Sequence, residues 1–508
     1  MSQIRADHLT FSYEGSVESV FENATFTIDT DWKLGLIGRN GKGKTTLLRL
    51  LTGELTGQGA IINSVPVAYF PYRITLEQMK LSAAEFAEEL RMGCEMWRVI
   101  CELSELDEDA EILYRPFETL SHGQRTKALL AILFSGENDF LLIDEPTNHL
   151  DAKARENVRE YLSSKKGFIL VSHDRDLLDT CTDHILVLNR KTIMVQSGNF
   201  SCWKENQEKR DQFAKSENEK HQKQIKKLRQ SAKRTSEWAD KSERTKIGYD
   251  PIKEHDRPIS ARAYIGSKTK KMQSRVKNTE MRIEREINEQ EGLLQDIEEI
   301  AALKMSPLTH HKDTLISLRD CTLKYDGADE PVLSGVSFSV KKGERIALHG
   351  TNGCGKSTLM RLILQSAGVI PQDNKLIVNG ICETASGLIV SYVPQDTSFL
   401  KGSIPQFCEE RGLDRSLYCT VLRQLDLSRA QLSKDISEYS AGQKKKVLLA
   451  ASILTPAHIY IWDEPLNFID IFSRMQIETL LNEYQPTMLL AEHDVRFREN
   501  IGAETVNL

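Results

Sequence analysis

The sequence predicts an α/β protein in which two copies of one domain are joined by a long antiparallel α-helical hairpin. Three observations lead to this fold class: motifs that occur twice in the same order, short apolar runs typical of buried parallel strands, and a charged central segment with a narrow apolar seam. The predicted boundaries are 1–200 for the first copy, 201–310 for the hairpin with its tip near 246–268, and 311–508 for the second copy.

The internal repeat rests on four motifs that occur in the same order in both halves. They are GRNGKGKTT at 38–46 and GTNGCGKST at 350–358, LSHGQRTK at 120–127 and YSAGQKKK at 439–446, FLLIDEPTNHLD at 140–151 and IYIWDEPLNFID at 459–470, and SHD at 172–174 and EHD at 492–494. The paired motifs lie 312, 319, 319 and 320 residues apart, which indicates a duplicated domain. In each copy, the runs FLLID and IYIWD predict strands that are buried on both faces of a parallel sheet.

The composition is that of a globular protein, with 508 residues of which 40% are hydrophobic and 28% charged. The start, MSQIRADHLTF, has no signal-peptide pattern, and no apolar run approaches about 18 residues, so we expect a cytoplasmic protein without a membrane partner. The nine cysteines form no C-x-x-C pair. Their scatter argues against a zinc or iron–sulfur site and fits a reducing compartment.

The central segment differs from its flanks in charge and in apolar pattern. Residues 221–280 hold 17 Lys and Arg against 7 Asp and Glu, whereas the whole chain has a net charge of −6. A basic middle favours an anionic partner such as nucleic acid, although a solvated helical face explains the charge equally well. Apolar residues recur there at coiled-coil spacing, which predicts two helices that form an arm about 50 Å long. This seam comprises Ile225, Leu228 and Ala232 in its first half, and Met272, Val276, Ile283, Ile287, Leu294 and Ile297 in its second.

Two glycine-rich loops match the spacing G-x-x-x-x-G-K-[ST], each after a predicted strand and before a predicted helix. In such a loop the backbone N–H groups point at phosphates, the Lys reaches the β- and γ-phosphates, and the hydroxyl is offered to Mg²⁺. We therefore expect ATP and Mg²⁺ to bind here. The residues predicted to contact nucleotide are Gly38, Arg39, Asn40, Gly41, Lys42, Gly43, Lys44, Thr45 and Thr46 in the first loop, and Gly350, Thr351, Asn352, Gly353, Cys354, Gly355, Lys356, Ser357 and Thr358 in the second.

Carboxylates follow the apolar strand of each copy, where an Asp can hold Mg²⁺ and the next residue, a Glu, can position or deprotonate the attacking water. The predicted magnesium ligands are Thr45 and Asp144 in the first copy, and Ser357 and Asp463 in the second. A histidine follows a further apolar run in each copy, and the equivalent places favour a γ-phosphate contact over a purely structural role. The predicted catalytic residues are Glu145 and His173 in the first copy, and Glu464 and His493 in the second.

The motifs SHGQ and SAGQ resemble the signature of ATP-binding cassette (ABC) ATPases. In that class the signature lies at a helix N-terminus and binds the γ-phosphate of the ATP held by the opposite cassette, which suits the positive end of a helix dipole. The resemblance implies two composite sites, which join Lys44 to Ser440, Gly442 and Gln443, and Lys356 to Ser121, Gly123 and Gln124. It also implies that Tyr13 and Tyr325 stack on adenine.

Two positions depart from the pattern of such cassettes. The segment YVPQD supplies Gln395 as a further magnesium ligand, whereas the matching segment YFPYR has Tyr72. His122 replaces the usual first glycine of the signature. The two ATP sites are therefore expected to be unequal, and the pattern leaves open which one turns over faster.

Tandem cassettes, the motif EPTNHLD and a charged helical linker together resemble the ABC-F family over essentially the whole chain. Proteins of that family are cytosolic ATPases that bind the ribosome's tRNA exit site when ATP closes the cassettes, and their linker contacts the peptidyl-site tRNA. The long linker, the short insertion between Tyr72 and Leu120, and WDEPLNFID resemble the Vga/Lsa-type antibiotic-resistance branch. This resemblance implies a monomer with paired cassettes and no permease, which contacts rRNA and displaces lincosamides, pleuromutilins and group A streptogramins.

The segment DRPISARAYIGSKTKK at 256–271 lies at the predicted end of the hairpin, where Pro258 and Gly266 bracket a turn. Arginine and lysine suit phosphates and a tyrosine can stack on an unpaired base, so this tip is expected to contact RNA. The predicted RNA-binding residues are Arg257, Arg262, Tyr264 and Lys268. The competing interpretation is a solvated loop without a partner.

Three other functions account for part of the pattern. A transporter ATPase with a separate permease explains the cassettes but not the basic hairpin. A DNA-repair or chromosome-structuring ATPase usually carries zinc cysteines or a much longer coiled coil. A translation factor of the ABC-F family, without a role in resistance, explains the cassettes and the linker, although the long tip and the short insertion in the first copy favour the resistance branch.

Overall fold

The computed structural model describes residues 2–13, 19–137, 139–148, 150–188, 193–247, 277, 281–283, 303–328, 330–351, 353–372 and 375–508. The predicted RNA-binding residues Arg257, Arg262, Tyr264 and Lys268 lie outside this set, as do Asn352 and most of the second half of the apolar seam. The chain forms two compact units, Met1–Trp203 together with Ile300–Leu508, and Lys204–Glu299. Both predicted cassettes belong to the first unit.

The first cassette alternates strands and helices after an antiparallel start. Its strands are β1 (Gln3–Phe11), β2 (Phe21–Asp29), β3 (Lys33–Gly38), β4 (Gln58–Asn63), β5 (Val67–Phe70), β6 (Phe140–Asp144), β7 (Phe168–Val171), β8 (His184–Leu188) and β9 (Ile193–Ser197). Its helices are α1 (Lys44–Leu51), α2 (Ala83–Leu90), α3 (Met96–Glu105), α4 (His122–Phe134), α5 (Ala152–Ser164) and α6 (Arg175–Cys181). The linker helix α7 (Phe200–Ile247) follows.

The second cassette repeats this order. Its strands are β10 (Thr314–Tyr325), β11 (Leu333–Lys341), β12 (Arg345–His349), β13 (Leu376–Thr384), β14 (Val390–Val393), β15 (Ile459–Asp463), β16 (Met488–Ala491) and β17 (Glu504–Asn507). Its helices are α8 (Lys356–Ser366), α9 (Ile404–Arg411), α10 (Arg415–Gln424), α11 (Arg429–Leu432), α12 (Ala441–Leu454), α13 (Ile471–Tyr484) and α14 (Val495–Asn500).

Each cassette is built on a mainly parallel sheet. The strand orders are β5-β6-β7-β3-β8-β9 and β14-β15-β16-β12-β17, and β9 alone pairs antiparallel in these two sheets as described. A separate antiparallel sheet accompanies each, with orders β2-β1-β4 and β11-β10-β13. Because the carboxyl ends of parallel strands meet at one edge, the glycine-rich loop after β3 and the carboxylates after β6 become neighbours.

The apolar runs read from the sequence form the predicted buried strands. All four residues of β7 and of β16 are buried, as are all five of β15. Helix α1 covers the first sheet with Leu47, Leu48, Leu50 and Leu51, each at most 3% exposed. Burial of one such side chain stabilises the fold by about 1.5–3 kcal/mol, so these layers hold the loops at the sheet edge in place.

The linker helix α7 spans 48 residues, about 70 Å, and is longer than the sequence pattern predicted. It contains neither Pro nor Gly, and Lys, Glu, Gln and Arg favour the helix along its exposed length. Two seam residues, Ile225 and Ile283, are each 7% exposed, which agrees with a packed seam in the Lys204–Glu299 unit. The hairpin pairing itself stays a prediction.

The ends of the linker pack with the cassettes. Phe200 and Trp203 belong to the apolar core of the first cassette, and Leu303 and Met305 belong to a core of the second. Within the described residues, no helix is both long enough and apolar enough to cross a membrane.

The contribution of the sheet core to the stability of the fold can be tested at Trp462 on β15. Its indole is fully buried and donates a hydrogen bond to Ser452 Oγ at 2.9 Å. We expect Trp462→Phe to cost about 1–3 kcal/mol of unfolding free energy, because the serine hydroxyl keeps only its contact with Ser391 and the smaller ring leaves a void. The measurement is the thermal midpoint followed by circular dichroism.

The matched control is Trp97→Phe, since Trp97 is 60% exposed and its replacement should change stability by less than about 0.5 kcal/mol. Equal shifts of the midpoint in the two variants would contradict the importance of the buried indole.

Candidate nucleotide-binding sites

Both glycine-rich loops curl through left-handed glycines immediately before the helices α1 and α8. Gly43 has φ 93° and Gly355 has φ 97°, a region that side-chain-bearing residues rarely adopt. A Cβ at Gly43 would lie 2.4 Å from Val20 Cγ1, and one at Gly355 would lie 2.8 Å from Leu333 Cγ. Conformation and space therefore both require glycine, and the loop N–H groups turn towards one point at the helix N-terminus.

Each loop lysine donates hydrogen bonds to oxygen atoms of its own loop. Lys44 Nζ donates to Gly38 O at 2.7 Å and to Asn40 Oδ1 at 3.3 Å. Lys356 Nζ donates to Gly350 O at 2.8 Å and to Thr351 O at 2.9 Å. Burial lowers the pKa of Lys44, although the carboxylates of Asp470 and Glu145 act in the opposite direction. A buried ammonium held only by carbonyl and amide oxygens suits an anionic ligand such as a polyphosphate.

Hydroxyl and carboxylate oxygens that suit Mg²⁺ meet at the strand ends. Thr45 Oγ1 donates to Asp144 Oδ2 at 3.1 Å, and in the second site Asp463 Oδ1 is buried without a hydrogen-bond partner among the described residues. Burial raises the pKa of both aspartates. The described residues contain no cluster of three or more His, Cys, Asp or Glu side chains able to hold a metal. A magnesium ion here would therefore complete its coordination with phosphate and water oxygens.

The predicted catalytic glutamates share an unusual backbone conformation. Glu145 has φ 53° and Glu464 has φ 46°, and each N–H donates to the neighbouring strand, at Val171 O (2.8 Å) and Ala491 O (2.9 Å) respectively. A left-handed residue other than glycine costs about 1–3 kcal/mol and persists only where its surroundings fix it. At each site the carboxylate that follows this turn lies beside the histidine of its own cassette.

The surroundings of the two glutamates differ. Glu464 Oε2 accepts from Gln395 Nε2 at 2.8 Å and from Asn467 Nδ2 at 2.6 Å. Burial acts to raise the pKa of Glu464, but His493, Gln395 and Lys356 outweigh it and lower that pKa. Burial raises the pKa of Glu145 to about 8, and the charge of Asp144 adds to the effect.

The histidines predicted to contact the γ-phosphate lie beside these glutamates. His173 Nε2 is 3.2 Å from Glu145 Oε1, and His493 Nε2 is 3.8 Å from Glu464 Oε1. Burial, followed by the charges of Lys44 and Arg474, lowers the pKa of His173 well below its usual value, so its ring is neutral at pH 7. A neutral ring can donate one hydrogen bond to a γ-phosphate oxygen.

The signature serines cap helices. Ser121 Oγ accepts from Gln124 N at 3.2 Å, and Ser440 Oγ accepts from Gln443 N at 3.3 Å. In return, the Oε1 atom of each glutamine accepts a hydrogen bond from the N–H of its serine, which completes a capping box. Gln124 and Gln443 therefore stabilise the helix starts in this structure, a role that the nucleotide-contact prediction did not include.

The tyrosines predicted to stack on adenine lie next to the helix that follows each loop. Tyr13 OH is 2.8 Å from Thr46 Oγ1, and Tyr325 OH is 3.2 Å from Thr358 Oγ1. Tyr13 is 45% exposed, so its ring offers a free face beside the first loop. The two tyrosines thus occupy equivalent positions beside the helix that follows each loop.

The first loop lies against the second signature across the cassette interface. Asn40 Nδ2 donates to Phe468 O at 3.0 Å, and a Cβ at Gly442 would lie 3.4 Å from that same nitrogen. At Gly123, the atoms closest to an added Cβ belong to Leu150, Ala154 and Ser121 of its own cassette. The structure therefore brings Asn40 of the first loop next to the second signature.

Gln395, which was predicted to bind magnesium in the second site, is replaced by Tyr72 in the first. Tyr72 packs on the core of the first cassette, and its pKa is raised by burial while Arg91 acts to lower it through a hydrogen bond. Tyr69, three residues earlier, instead donates to Asp144 Oδ2 at 3.2 Å. The two ATP sites, which the sequence predicted to be unequal, thus differ in the side chains that surround their carboxylates.

Four residues at these sites were not singled out from the sequence: Asp426, Asn467, Phe472 and Tyr69. Asn467 follows Glu464 by three residues in the motif WDEPLNFID, and this spacing was the one available signal. Asp426 contacts Arg39, which lies 387 residues away, and nothing in the local sequence indicates that contact.

Two segments of the chain, 21–148 and 333–467, match the protein family described as ABC transporter. The chain belongs to this family and is an ATP hydrolase of the ABC type. The two matches confirm the tandem cassettes inferred from the repeated motifs.

The chain is 28% identical to ribosome protection protein VmlR of Bacillus subtilis (strain 168) over 498 residues, which cover 96% of this chain and 84% of that protein. It is 25% identical to ATP-binding protein Uup of Buchnera aphidicola over 522 residues, which cover 98% and 79%. The fold matches a chain from the crystal structure of the archaeal ribosomal stalk protein aP1 with the archaeal ribosome recycling factor aABCE1, with TM-score 0.58, 18% identity, and 98% and 87% coverage. These relatives confirm the resemblance to ABC-F proteins and to their ribosome-protection branch.

Gln395 and Tyr72 can be compared in single-site variants. In a Glu145→Gln background we expect only the second site to hydrolyse ATP. There Gln395→Ala should lower kcat by about 10–100-fold, because Glu464 loses the amide that orients it. The measurement is steady-state phosphate release.

The control is Tyr72→Phe in a Glu464→Gln background, which keeps the ring and removes only the hydroxyl. We expect its kcat to stay close to that of the parent. A loss equal to that of Gln395→Ala would mean that Tyr72 takes over the role of the missing glutamine.

Proposed function

We propose that this chain binds two ATP molecules with Mg²⁺ between its cassettes and uses them to act on the ribosome. The observation that carries the proposal is the alignment with ribosome protection protein VmlR, which covers 96% of this chain and therefore includes the central linker as well as the cassettes. The basic charge of residues 221–280 supports an RNA partner, because Lys and Arg neutralise phosphates.

In this proposal each ATP is held by the loop of one cassette and the signature of the other. Lys44 and Lys356 bind the β- and γ-phosphates, and Ser440 and Ser121 face the γ-phosphate from the opposite cassettes. Tyr13 and Tyr325 contact the adenine. Mg²⁺, when bound by the strand-end aspartates with Thr45 and Ser357, neutralises charge on the phosphates.

Hydrolysis proceeds by attack of water on the γ-phosphorus, with ADP as the leaving group. Glu145 and Glu464 accept hydrogen bonds from the attacking water and take its proton, while His173 and His493 contact the γ-phosphate. Loss of the γ-phosphate removes the ligand that joins each loop to the opposite signature. The cassettes then part and the protein leaves the ribosome.

The finer proposal is ribosome protection against antibiotics. The closed protein binds at the tRNA exit site, and the linker tip contacts the peptidyl-site tRNA and reaches towards the peptidyl transferase centre. There Arg257, Arg262, Tyr264 and Lys268 contact RNA, and bound lincosamides, pleuromutilins or group A streptogramins are displaced. The protein acts in the cytoplasm as a monomer whose own cassettes pair.

Two alternatives are distinguished by experiment. A general translation factor of the same family would bind ribosomes equally but leave drug susceptibility unchanged. The ATPase subunit of a transporter with a separate permease would bind membranes that contain the permease instead of ribosomes.

The ribosome partner is tested with Glu145→Gln/Glu464→Gln, which should bind ATP and fail to hydrolyse it. We expect ATP to raise the fraction that sediments with intact ribosomes by about tenfold or more, and rising salt to reverse it as phosphate contacts are screened. The control, Lys44→Ala/Lys356→Ala, should not respond to ATP. Absence of ATP-dependent sedimentation at low salt, together with binding to membrane vesicles, would favour the transporter alternative.

The linker tip is tested by replacing Asp256–Lys268 with a Gly/Ser segment of equal length in a drug-sensitive strain. We expect resistance to fall to the level of the empty vector while ATP-dependent ribosome sedimentation persists, because the cassettes supply the affinity. A strain that keeps its full resistance with the replaced tip would exclude the tip as the drug-displacing element.

A further inference from the structure

An arginine of the first glycine-rich loop crosses to the second cassette. Arg39 Nη1 donates to Asp426 Oδ1 at 2.5 Å, and the two side chains are 15% and 14% exposed. A charge pair that is largely removed from water is screened little by salt, so its attraction persists at physiological ionic strength. Opening the interface at this loop therefore has to break a desolvated ion pair.

An aromatic pair supports this contact. The guanidinium carbon of Arg39 lies 5.7 Å from the ring centroid of Phe472, the second residue of α13, which is within cation–π range. The Phe472 ring in turn packs edge-to-face on Trp203, with centroids 5.9 Å apart. Trp203 lies in the first turn of α7 and is 7% exposed. The arginine is thus held between a carboxylate and a ring that contacts the start of the linker helix.

The second site has no equivalent of this arrangement. At the repeat offsets of 312 and 319 residues, Arg39 corresponds to Thr351 and Asp426 to Asp107. Phe472 corresponds to Lys153. Threonine carries no charge and lysine offers no aromatic face, so neither the ion pair nor the cation–π contact can form there.

In the second site, more hydrogen bonds hold the carboxylate that is proposed to activate water. Besides the contacts of Gln395 and Asn467 with Glu464, Lys445 Nζ donates to Pro394 O at 2.8 Å and to Asp463 O at 3.1 Å. Lys445 thereby joins the glutamine-bearing segment to the strand that carries both carboxylates. The matching residue of the first cassette is Thr126, which is too short to reach across in this way.

We propose that Arg39 and Asp426, supported by Phe472, form a clamp that retains ATP at the Lys44 site while the Lys356 site exchanges its nucleotide. ATP leaves a composite site when loop and opposite signature separate, and at the Lys44 site that separation also breaks the clamp. Arg39 and Asp426 are positioning residues in this scheme, because they act on the distance between cassettes. The inference rests on the two ATP sites proposed above and not on the ribosome as partner.

The test measures ATP dissociation in the Glu145→Gln/Glu464→Gln protein. The protein is loaded with radiolabelled ATP and Mg²⁺ and chased with excess unlabelled ATP, without ribosomes. We expect two phases of equal amplitude, with the slower rate about tenfold below the faster. Lys44→Ala in this background should remove the slow phase, and Lys356→Ala the fast one.

The clamp is tested with Asp426→Asn and the matched control Asp107→Asn. Both positions have positive φ, 68° and 54°, where asparagine is well tolerated, so both variants should fold. We expect Asp426→Asn to accelerate the slow phase by roughly tenfold, which merges the two phases, because the charged partner of Arg39 is lost. Asp107→Asn should leave both rates unchanged.

Phe472→Leu provides an independent variant, because it removes the ring and keeps an apolar side chain; it should also accelerate the slow phase. A single phase in the parent protein, a slow phase that depends on Lys356, or equal effects of Asp426→Asn and Asp107→Asn would each overturn the proposal. None of these results bears on ribosome sedimentation, so failure of the clamp and failure of the proposed function are separable.

Discussion

The geometry of both sites depends on a buried ion pair between the cassettes, Arg175 with Glu478. The two residues are 2% and 7% exposed, and the arginine donates two hydrogen bonds to the carboxylate. Asn500 Nδ2 also donates to Glu478 Oε2, at 3.1 Å. Removing such ions from water costs several kcal/mol each, so the loss of either partner would leave the other charge buried and uncompensated. Because Arg175 follows His173 by two residues, this pair also fixes the histidine of the first site against the second cassette.

The interface extends from these ions to the start of the linker. Arg496 of the second cassette donates to Asp179 Oδ2 at 2.6 Å and to Ser201 Oγ at 3.2 Å, and Ser201 lies in the first turn of α7. Trp203 lies two residues after Ser201 in the same turn, and its ring packs on Phe472. The first turn of the linker helix is therefore part of the cassette interface. Any change in cassette spacing would move these contacts at Ser201 and Trp203.

Sequence patterns predicted the parts of this structure that depend on local residues. The loop glycines, the buried strands and the strand-end carboxylates were all readable, because phosphate binding and two-sided burial restrict residue type at fixed spacing. The length of α7 was underestimated because the apolar seam, and not the absence of Pro and Gly, was used to set it. The contact of Arg39 with Asp426 was not predictable, since the partners are 387 residues apart and each is an ordinary surface residue in its own segment. The pattern S-x-x-Q also indicates that Gln124 and Gln443 cap their helices. This role was missed because the same residues match the ABC signature, which predicted only a nucleotide contact.

The two glutamates predicted to be catalytic show how a duplicated backbone acquires unequal sites. Glu145 and Glu464 share the same left-handed turn and the same backbone hydrogen bond to the neighbouring strand, so the strain and the direction of the side chain are common to both. Their neighbours are not common: Glu464 accepts from Gln395 and Asn467, whereas Glu145 lies next to Asp144 in a buried place without the glutamine. The backbone fixes where each carboxylate lies, and the neighbouring side chains decide its charge and orientation. Division of labour between the sites therefore requires few substitutions around a conserved turn geometry, and it can arise without loss of either glutamate.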